Sequence, residues 1–498
     1  MRPIQPLCWI IILMLWTSQS SAYAQEVPVV EAPIQKAPVA ESPAEPTLAL
    51  ASIFSDHMVL QRGQRVPIWG HAEPGTKVRL QLGDRVRDTT ANDQGAWRLD
   101  VGPLAVGRPL EMRVWTEGAA LNLDDIVVGD VWICSGQSNM QWTVNRSNDA
   151  EAEIANADWP QIRLVTLPRV SASSPQDRFK SAGWQICTSE TIRQFSAVAY
   201  SFGRELRSTQ NVPIGLISTN YGGTPMEAWT SRSALASRAT FAREVKKADD
   251  AIGGDDRMLK GNYPTGLFNA MIHPLVPFGI RGAIWYQGES NAGRHQHYHE
   301  LSQLMIADWR TRWGQGDFPF LLVQLAAFMP HVKQWPYLRE AQHQTVLTEP
   351  NVAMAVATDI GDKEDIHPRN KQEVGKRLAL AARALAYGED IVYSGPVYEE
   401  MSKRNGTCVL SFTHLGSGLQ IGRSGREEDS TALLGFEVAG KDRQFVPADA
   451  RIEGDQVLVS SEAVIDPISV RYNWAGWTVG NLYNVEGLPA PPFRTDRF

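Results

Sequence analysis

Cysteine is scarce, at four in 498 residues, and that scarcity removes whole classes of protein. Cys8 lies in an N-terminal segment with export features, which leaves Cys134, Cys187 and Cys408, an odd set that can form at most one disulfide. A disulfide scaffold is excluded, and no Cys-x-x-Cys or Cys/His spacing suggests zinc. Blocks of like charge are missing too: 48 Lys and Arg are interspersed with 55 Asp and Glu. That balance argues against nucleic acid or a polybasic membrane surface as partner. Past the N-terminal segment no stretch reaches the roughly 20 apolar residues of a membrane helix, and no repeat recurs at a fixed period. The remaining expectation is a multi-domain chain with ample core and a neutral partner.

The rhythm of the sequence divides it. Arg2 precedes the apolar run Leu7 to Trp16, and Ala22-Tyr23-Ala24 supplies the small-x-small pattern of a cleavage site. Residues 1–24 therefore read as a signal peptide, and the protein as exported to the periplasm or beyond. Residues 25–47 are Pro-rich without periodicity and read as an extended tether. Residues 48–125 hold short alternating runs such as "VPIWGHA" and "KVRLQLG" between turn signals, the pattern of a β-sandwich-like module.

From 126 to 388 apolar strands alternate with helical patterns. The expected strands are Ile126 to Cys134, Ile214 to Ser218, Gly282 to Tyr286, Phe320 to Leu325 and Val352 to Thr358. Phe195, Val198, Ala199, Phe202 and Leu206 mark one helix; Val374, Leu378, Ala381 and Leu385 mark another, with Pro368 expected at its first helical position. This alternation predicts an α/β domain with a mostly parallel sheet covered on both faces. Strand rhythm returns in 389–498, a second β module.

Ligands of open parallel sheets bind beyond the carboxyl ends of the strands. Three blocks stand there: Gly136-Gln137-Ser138-Asn139-Met140, Asn220-Tyr221-Gly222-Gly223-Thr224 and Gln287-Gly288-Glu289-Ser290-Asn291. A serine with glycines and amide side chains suits acyl transfer, because backbone N–H groups can approach a developing oxyanion where no Cβ intervenes. The base is expected to be His367, on a loop tip among Asp359, Asp362, Glu364 and Asp365. Plainer readings stand beside these. Ser138 alone reads as a turn or cap residue; Asn139 and Asn220 either contact substrate or hold turns; Glu289 reads first as a buried carboxylate bonding loop N–H groups. Trp142 and Tyr221 are candidates to stack on a bound ligand, and Trp229 is expected in the core. His295, His297 and His299 alternate like metal ligands, but they sit where a helix is expected to begin.

Gly-Gln-Ser-Asn-Met, "WYQGESNA" and "DIHPRNK", in this order, resemble the SGNH-type hydrolases, and specifically the sialate O-acetylesterase-like carbohydrate esterases. The resemblance implies a flavodoxin-like catalytic domain flanked by β modules, hydrolysing acetyl esters on sugars without metal or cofactor. The substrate would be an acetylated oligosaccharide or polysaccharide, either a plant hemicellulose such as xyloglucan or a sialic acid. By the same resemblance Ser138 is the nucleophile and His367 the general base. The N–H groups of Ser138 and Gly223 would meet the oxyanion. The general SGNH pattern offers an asparagine in Gly-x-Asn as third donor; here Gln287 is preferred, being first off its strand, with Asn291 as alternative. Gln137, Asn139, Asn220, Tyr221 and Glu289 are the expected substrate contacts. Asp365 is preferred over Glu364 to orient His367, with a Ser-His dyad as a further alternative. The rival reading is a catalytically degenerate carbohydrate-binding protein, which would be expected to have lost Ser138, Gly223 or His367; all three are present.

Overall fold

The computed structural model describes residues 47–330, 333–422 and 431–497. The expected signal segment and all but the last residue of the expected tether lie outside the described residues.

Six parallel strands form the centre: β1 (Ala120–Gly136), β2 (Trp159–Thr166), β3 (Ile214–Asn220), β4 (Gly282–Tyr286), β5 (Phe320–Val323) and β6 (Val352–Ala355). Their spatial order is β2-β3-β1-β4-β5-β6, and a short strand, Gln185–Cys187, pairs antiparallel with β2 at the edge. The four longest helices are α1 (Ala197–Gln210), α2 (Tyr298–Trp313), α3 (Trp335–Thr348) and α4 (Lys371–Tyr387). Successive strand residues point to opposite faces. Trp132, Cys134, Leu216, Ile284 and Leu321 share a core with α1 and α4, while Val131, Ile133, Ile217, Trp285 and Leu322 share one with α2 and α3. Coverage on both sides is why these strands read as continuous apolar runs.

One strand displays both regimes. In β1 burial alternates from Ala120 to Asp125, and every residue from Ile126 to Gly136 is buried. Its first part pairs antiparallel with Leu110–Trp115; its last part is flanked by β3 and β4. The expected division at 125/126 therefore falls inside a strand, at Asp125, whose φ is +53°. The Asp125 carboxylate accepts from Arg163 at 2.6 Å and meets His57 Nδ1 at 2.7 Å. Arg163 sits in β2, the strand absent from the sequence reading. A charged residue amid Ile162, Leu164 and Val165 broke the apolar run, and its pairing with Asp125, with further bonds to the Pro160 and His57 carbonyls, makes burial of that guanidinium tolerable. Asp130 is the same case in β1: fully buried, it accepts two bonds from Arg62 at 2.9 Å each and one from the Tyr387 hydroxyl at 3.0 Å.

The α4 helix corrects one expectation. Asn370, not a residue before Pro368, is its cap: the Asn370 side chain accepts from the Glu373 N–H at 3.1 Å, and the helix opens at Lys371. An amide oxygen satisfies a first-turn N–H, which proline cannot do. His367 and Pro368 consequently belong to the preceding loop. After α4 come two four-stranded antiparallel sheets, 397–404/407–413/456–460/449–453 and 446–447/436–439/469–472/493–494. They share a core of Cys408, Leu410, Phe412, Phe436, Val457, Tyr472 and Phe493.

Candidate active site

The chain leaves β1 for β2 and β3 on one side and then crosses to β4, β5 and β6 on the other. Such a reversal opens a crevice beyond the carboxyl ends of the strands beside it. Gly136 makes the close approach there possible. Its φ is +135°, and a Cβ would lie 2.2 Å from the Tyr286 carbonyl oxygen, so only glycine lets β1 and β4 come together. The Gln137 N–H then donates to Tyr286 O at 3.0 Å, and Ser138 opens a one-turn helix, Ser138–Gln141.

Cross-bonds draw the three blocks together. Gly136 O accepts from the Tyr221 N–H at 3.1 Å, Gln137 Oε1 from the Ser290 N–H at 3.3 Å, and Gln141 Oε1 from the Gly222 N–H at 2.8 Å. A Cβ on Gly222 would sit 3.3 Å from Ser138 Cβ, so the second block lies directly against the serine. Gly223 follows with φ +74° at the surface. Among the described residues the Ser138 Oγ and the N–H groups of Ser138 and Gly223 have no hydrogen-bond partner.

His367 arrives from the far edge. β6 lies three strands from β1, roughly 14 Å at about 4.8 Å per strand, and the loop after β6 crosses back over that gap. Its start is anchored by Asp359, which accepts from Arg377 of α4 at 2.7 Å through each oxygen and from the Tyr483 hydroxyl at 3.1 Å. At its tip His367 Nδ1 is 3.2 Å from Asp365 Oδ1, and that oxygen also accepts the His367 N–H at 2.8 Å. The imidazole stacks on Trp142, ring centroids 5.2 Å apart and 16° from parallel. Glu364 is not brought to the ring; its own N–H donates to Asp362 Oδ1 at 2.9 Å. Partial burial pushes the His367 pKa below its usual value; Asp365 pulls it up, and Lys371 and Arg146 press it down. The lowered pKa favours the neutral ring, the form a general base requires.

Ser138 and His367 line one cavity of about 650 Å³, together with Gln141, Trp142, Arg146, Arg169 and Gln194 among others. No aspartate or glutamate lines it. Arg146 lies over the Trp142 ring at 3.7 Å, and Arg169 Nε donates to Asn220 O at 3.3 Å. Neither guanidinium pairs with a carboxylate among the described residues.

Several expected site residues are sealed away from this cavity. Gln287 is fully buried, its Nε2 donating to Thr224 O at 3.2 Å and Asn291 Oδ1 at 2.7 Å. Asn291 is equally committed, accepting from the Met226 N–H at 2.9 Å and donating to Glu227 at 2.9 Å. In this arrangement both Gln287 Nε2 hydrogens are engaged, and the Asn291 amide, buried and donating to Glu227 of the second block, is turned towards that block. Asn139 and Glu289, expected to touch substrate, instead bond each other at 2.6 Å in the interior. Gln137 and Asn220 are buried within their turns, and Asn220 Nδ2 donates to Ser218 Oγ at 2.8 Å. Of the five expected contacts only Tyr221 and Glu289 are partly exposed. Trp229 is in the core, as expected.

The cavity also holds residues the sequence reading passed over. Gln141 stands one helical turn after Ser138, a spacing that places it beside that serine; Arg146 ends a one-turn 3-10 helix and Arg169 lies in a loop, with no pattern around either. The alternating histidines diverge: His295 stacks on Tyr337 at 5.0 Å, His297 meets Phe241 edge-on, and His299 bonds Thr345 at 3.2 Å. Cys134, Cys187 and Cys408 are buried free thiols.

Comparison with known proteins supplies the context. The profile of a family described as "Carbohydrate esterase, sialic acid-specific acetylesterase" matches residues 128–384. The human sialate O-acetylesterase is 31% identical, the alignment covering 89% of this chain and 91% of that protein. Its mouse counterpart is 30% identical over 89% and 93%. A crystal structure of a carbohydrate acetylesterase from Xanthomonas citri is 38% identical, covers 91% of this chain and 100% of its own, and has a TM-score of 0.82.

Proposed function

The chain belongs to the sialic acid-specific acetylesterase family of carbohydrate esterases and is a carbohydrate acetylesterase; from that premise we propose that Ser138 is its nucleophile and His367 its general base. The carrying observation is that both residues line one cavity while Asp365 holds Nδ1 of the imidazole. With Nδ1 engaged, Nε2 takes the Ser138 proton as Oγ attacks the acetyl carbonyl. The negative oxygen of the tetrahedral intermediate is met by the unpartnered N–H groups of Ser138 and Gly223. Collapse breaks the bond to the sugar oxygen, which leaves with the proton from His367. Water then gives its proton to His367 and attacks the acetyl-serine, releasing acetate and restoring Ser138.

The substrate reading favours an acetylated sugar that carries a carboxylate, of the sialic acid type, over a neutral hemicellulose such as xyloglucan. Two unpaired arginines and no acidic side chain on the cavity wall support it, since a guanidinium binds a carboxylate by charge and by paired N–H donors. Export through residues 1–24 is part of the same proposal, resting on the sequence pattern alone. The test is acetate release from O-acetyl sialic acid, acetylated xyloglucan and acetylated xylan, assayed side by side. A higher kcat/KM on the acidic sugar at low salt, converging with the others at high salt, is the expected result. Equal or better turnover of xyloglucan would remove the acidic-sugar reading.

A further inference from the structure

Behind the cavity lies a buried group that the mechanism above does not use. Lys371, the first residue of α4, is fully buried and forms no ion pair among the described residues. Its ammonium donates to Asn139 Oδ1 and faces the rings of Tyr286 at 5.2 Å and Trp142 at 5.8 Å. Asn139 Nδ2 donates to Glu289 Oε1 at 2.6 Å and to the Ile366 carbonyl at 3.0 Å. The amide thus turns its oxygen to a cation and its hydrogens to a carboxylate and a carbonyl. Flipping it would oppose donor to donor and acceptor to acceptor.

The chain positions of these partners matter more than their burial. Asn139 is the residue after Ser138, and Ile366 is the residue before His367. Trp142, on the same turn as Ser138, carries the His367 ring on its face. One amide therefore joins the turn of the nucleophile to the loop of the base, and one ammonium holds that amide in its orientation.

We propose that Lys371 is a positioning residue for the esterase reaction: through Asn139 it sets the register of the His367 loop against Ser138. This rests on the reading of Ser138 and His367 given above. The groups facing the imidazole are Asp365, Lys371 and Arg146; those facing the ammonium are Glu289 and Asp365. Burial brings the Lys371 pKa down to about 7, with Glu289 and Asp365 opposing. The ammonium is consequently charged at the acidic pH where His367 titrates, which is where its repulsion acts. A purely structural buried lysine would behave otherwise: its removal would cost stability by leaving the Asn139 oxygen without a donor and would leave the pH profile alone.

Two substitutions separate the roles. Lys371→Gln keeps a donor for Asn139 and removes the charge; Lys371→Met removes both. With p-nitrophenyl acetate, both variants should move the acidic limb of kcat/KM upward by roughly half to one pH unit. Lys371→Met should also lose about 10- to 100-fold in kcat at little change in KM, because misplacing a base costs rate rather than binding. Lys371→Gln should keep kcat within a few-fold. Thermal midpoints are measured alongside, and if Lys371→Met does not fold, the acidic limb of Lys371→Gln decides. An acidic limb unmoved in the folded variants overturns the proposal, as does kcat loss that merely follows lost stability. Ser138→Ala run in parallel distinguishes the two failures: retained activity there removes the catalytic reading itself, and the proposal for Lys371 with it.

Discussion

A single oxygen carries the strongest prediction at the scale of the residue. Ser138 Oγ makes no hydrogen bond among the described residues, so Ser138→Ala leaves the surroundings intact, and its expected loss of about 1000-fold or more in kcat on an aryl acetate reports chemistry alone. Asp365 is a subtler case because it is exposed and its pair with His367 is solvent-screened. Asp365→Asn should lower kcat by about ten-fold at most. It should also move the acidic limb of the profile downward, since the carboxylate is what pulls the His367 pKa up. The sign is diagnostic, being opposite to that expected for Lys371 variants. Arg169→Met should raise KM for O-acetyl sialic acid by about ten-fold while leaving aryl acetate hydrolysis unchanged, provided the carboxylate reading holds. At this scale the sequence showed Ser138, His367 and Asp365 because each stands in a dense local motif. It could not show that the Gln287 hydrogens go to Thr224 and Asn291, because an amide beyond a strand end looks the same whether its hydrogens face a cavity or a neighbouring loop.

Among the elements, the turn after β1 is the most constrained. Gly136→Ala would drive a Cβ into the Tyr286 carbonyl at 2.2 Å, and backbone cannot retreat as a flexible side chain can. A destabilisation of about 3 kcal/mol or more is expected in urea unfolding, with lost activity even where the protein stays folded, because Gln137 and Ser138 must shift. Helices α1 and α4 were legible in their apolar spacing, and their ends were not. The spacing of Val374 and Leu378 predicts a helix, whereas its start depends on which side chain reaches a free N–H, and Asn370 won over Pro368. β2 escaped notice for a related reason: the buried Arg163 is paid for by Asp125, a residue of another strand.

In the whole molecule, Arg339 of α3 shows how distant segments are joined. Fully buried, it donates to the carbonyls of Leu325 and Ala326 beyond β5 and of Ala475 and Gly476 in the C-terminal region, at 2.7 to 2.9 Å. Arg339→Met would strand those carbonyl acceptors without donors. A loss of about 3 kcal/mol is expected, read as a lower unfolding midpoint, with the acidic limb of the pH profile unchanged in protein that remains folded. The alternation of strands and helices, the glycine-bearing blocks and the candidates for nucleophile and base were determined by the sequence alone. They depend on local periodicity and on residue type, both written in the chain. Which groups meet was decided by the tertiary structure. The loop from β6 returns across three strands, Asn139 turns inward to Lys371 and Glu289 rather than outward to a sugar, and two unremarked arginines reach the cavity wall. Such outcomes turn on which way each side chain faces once the layers close, and no spacing within a strand or helix encodes that.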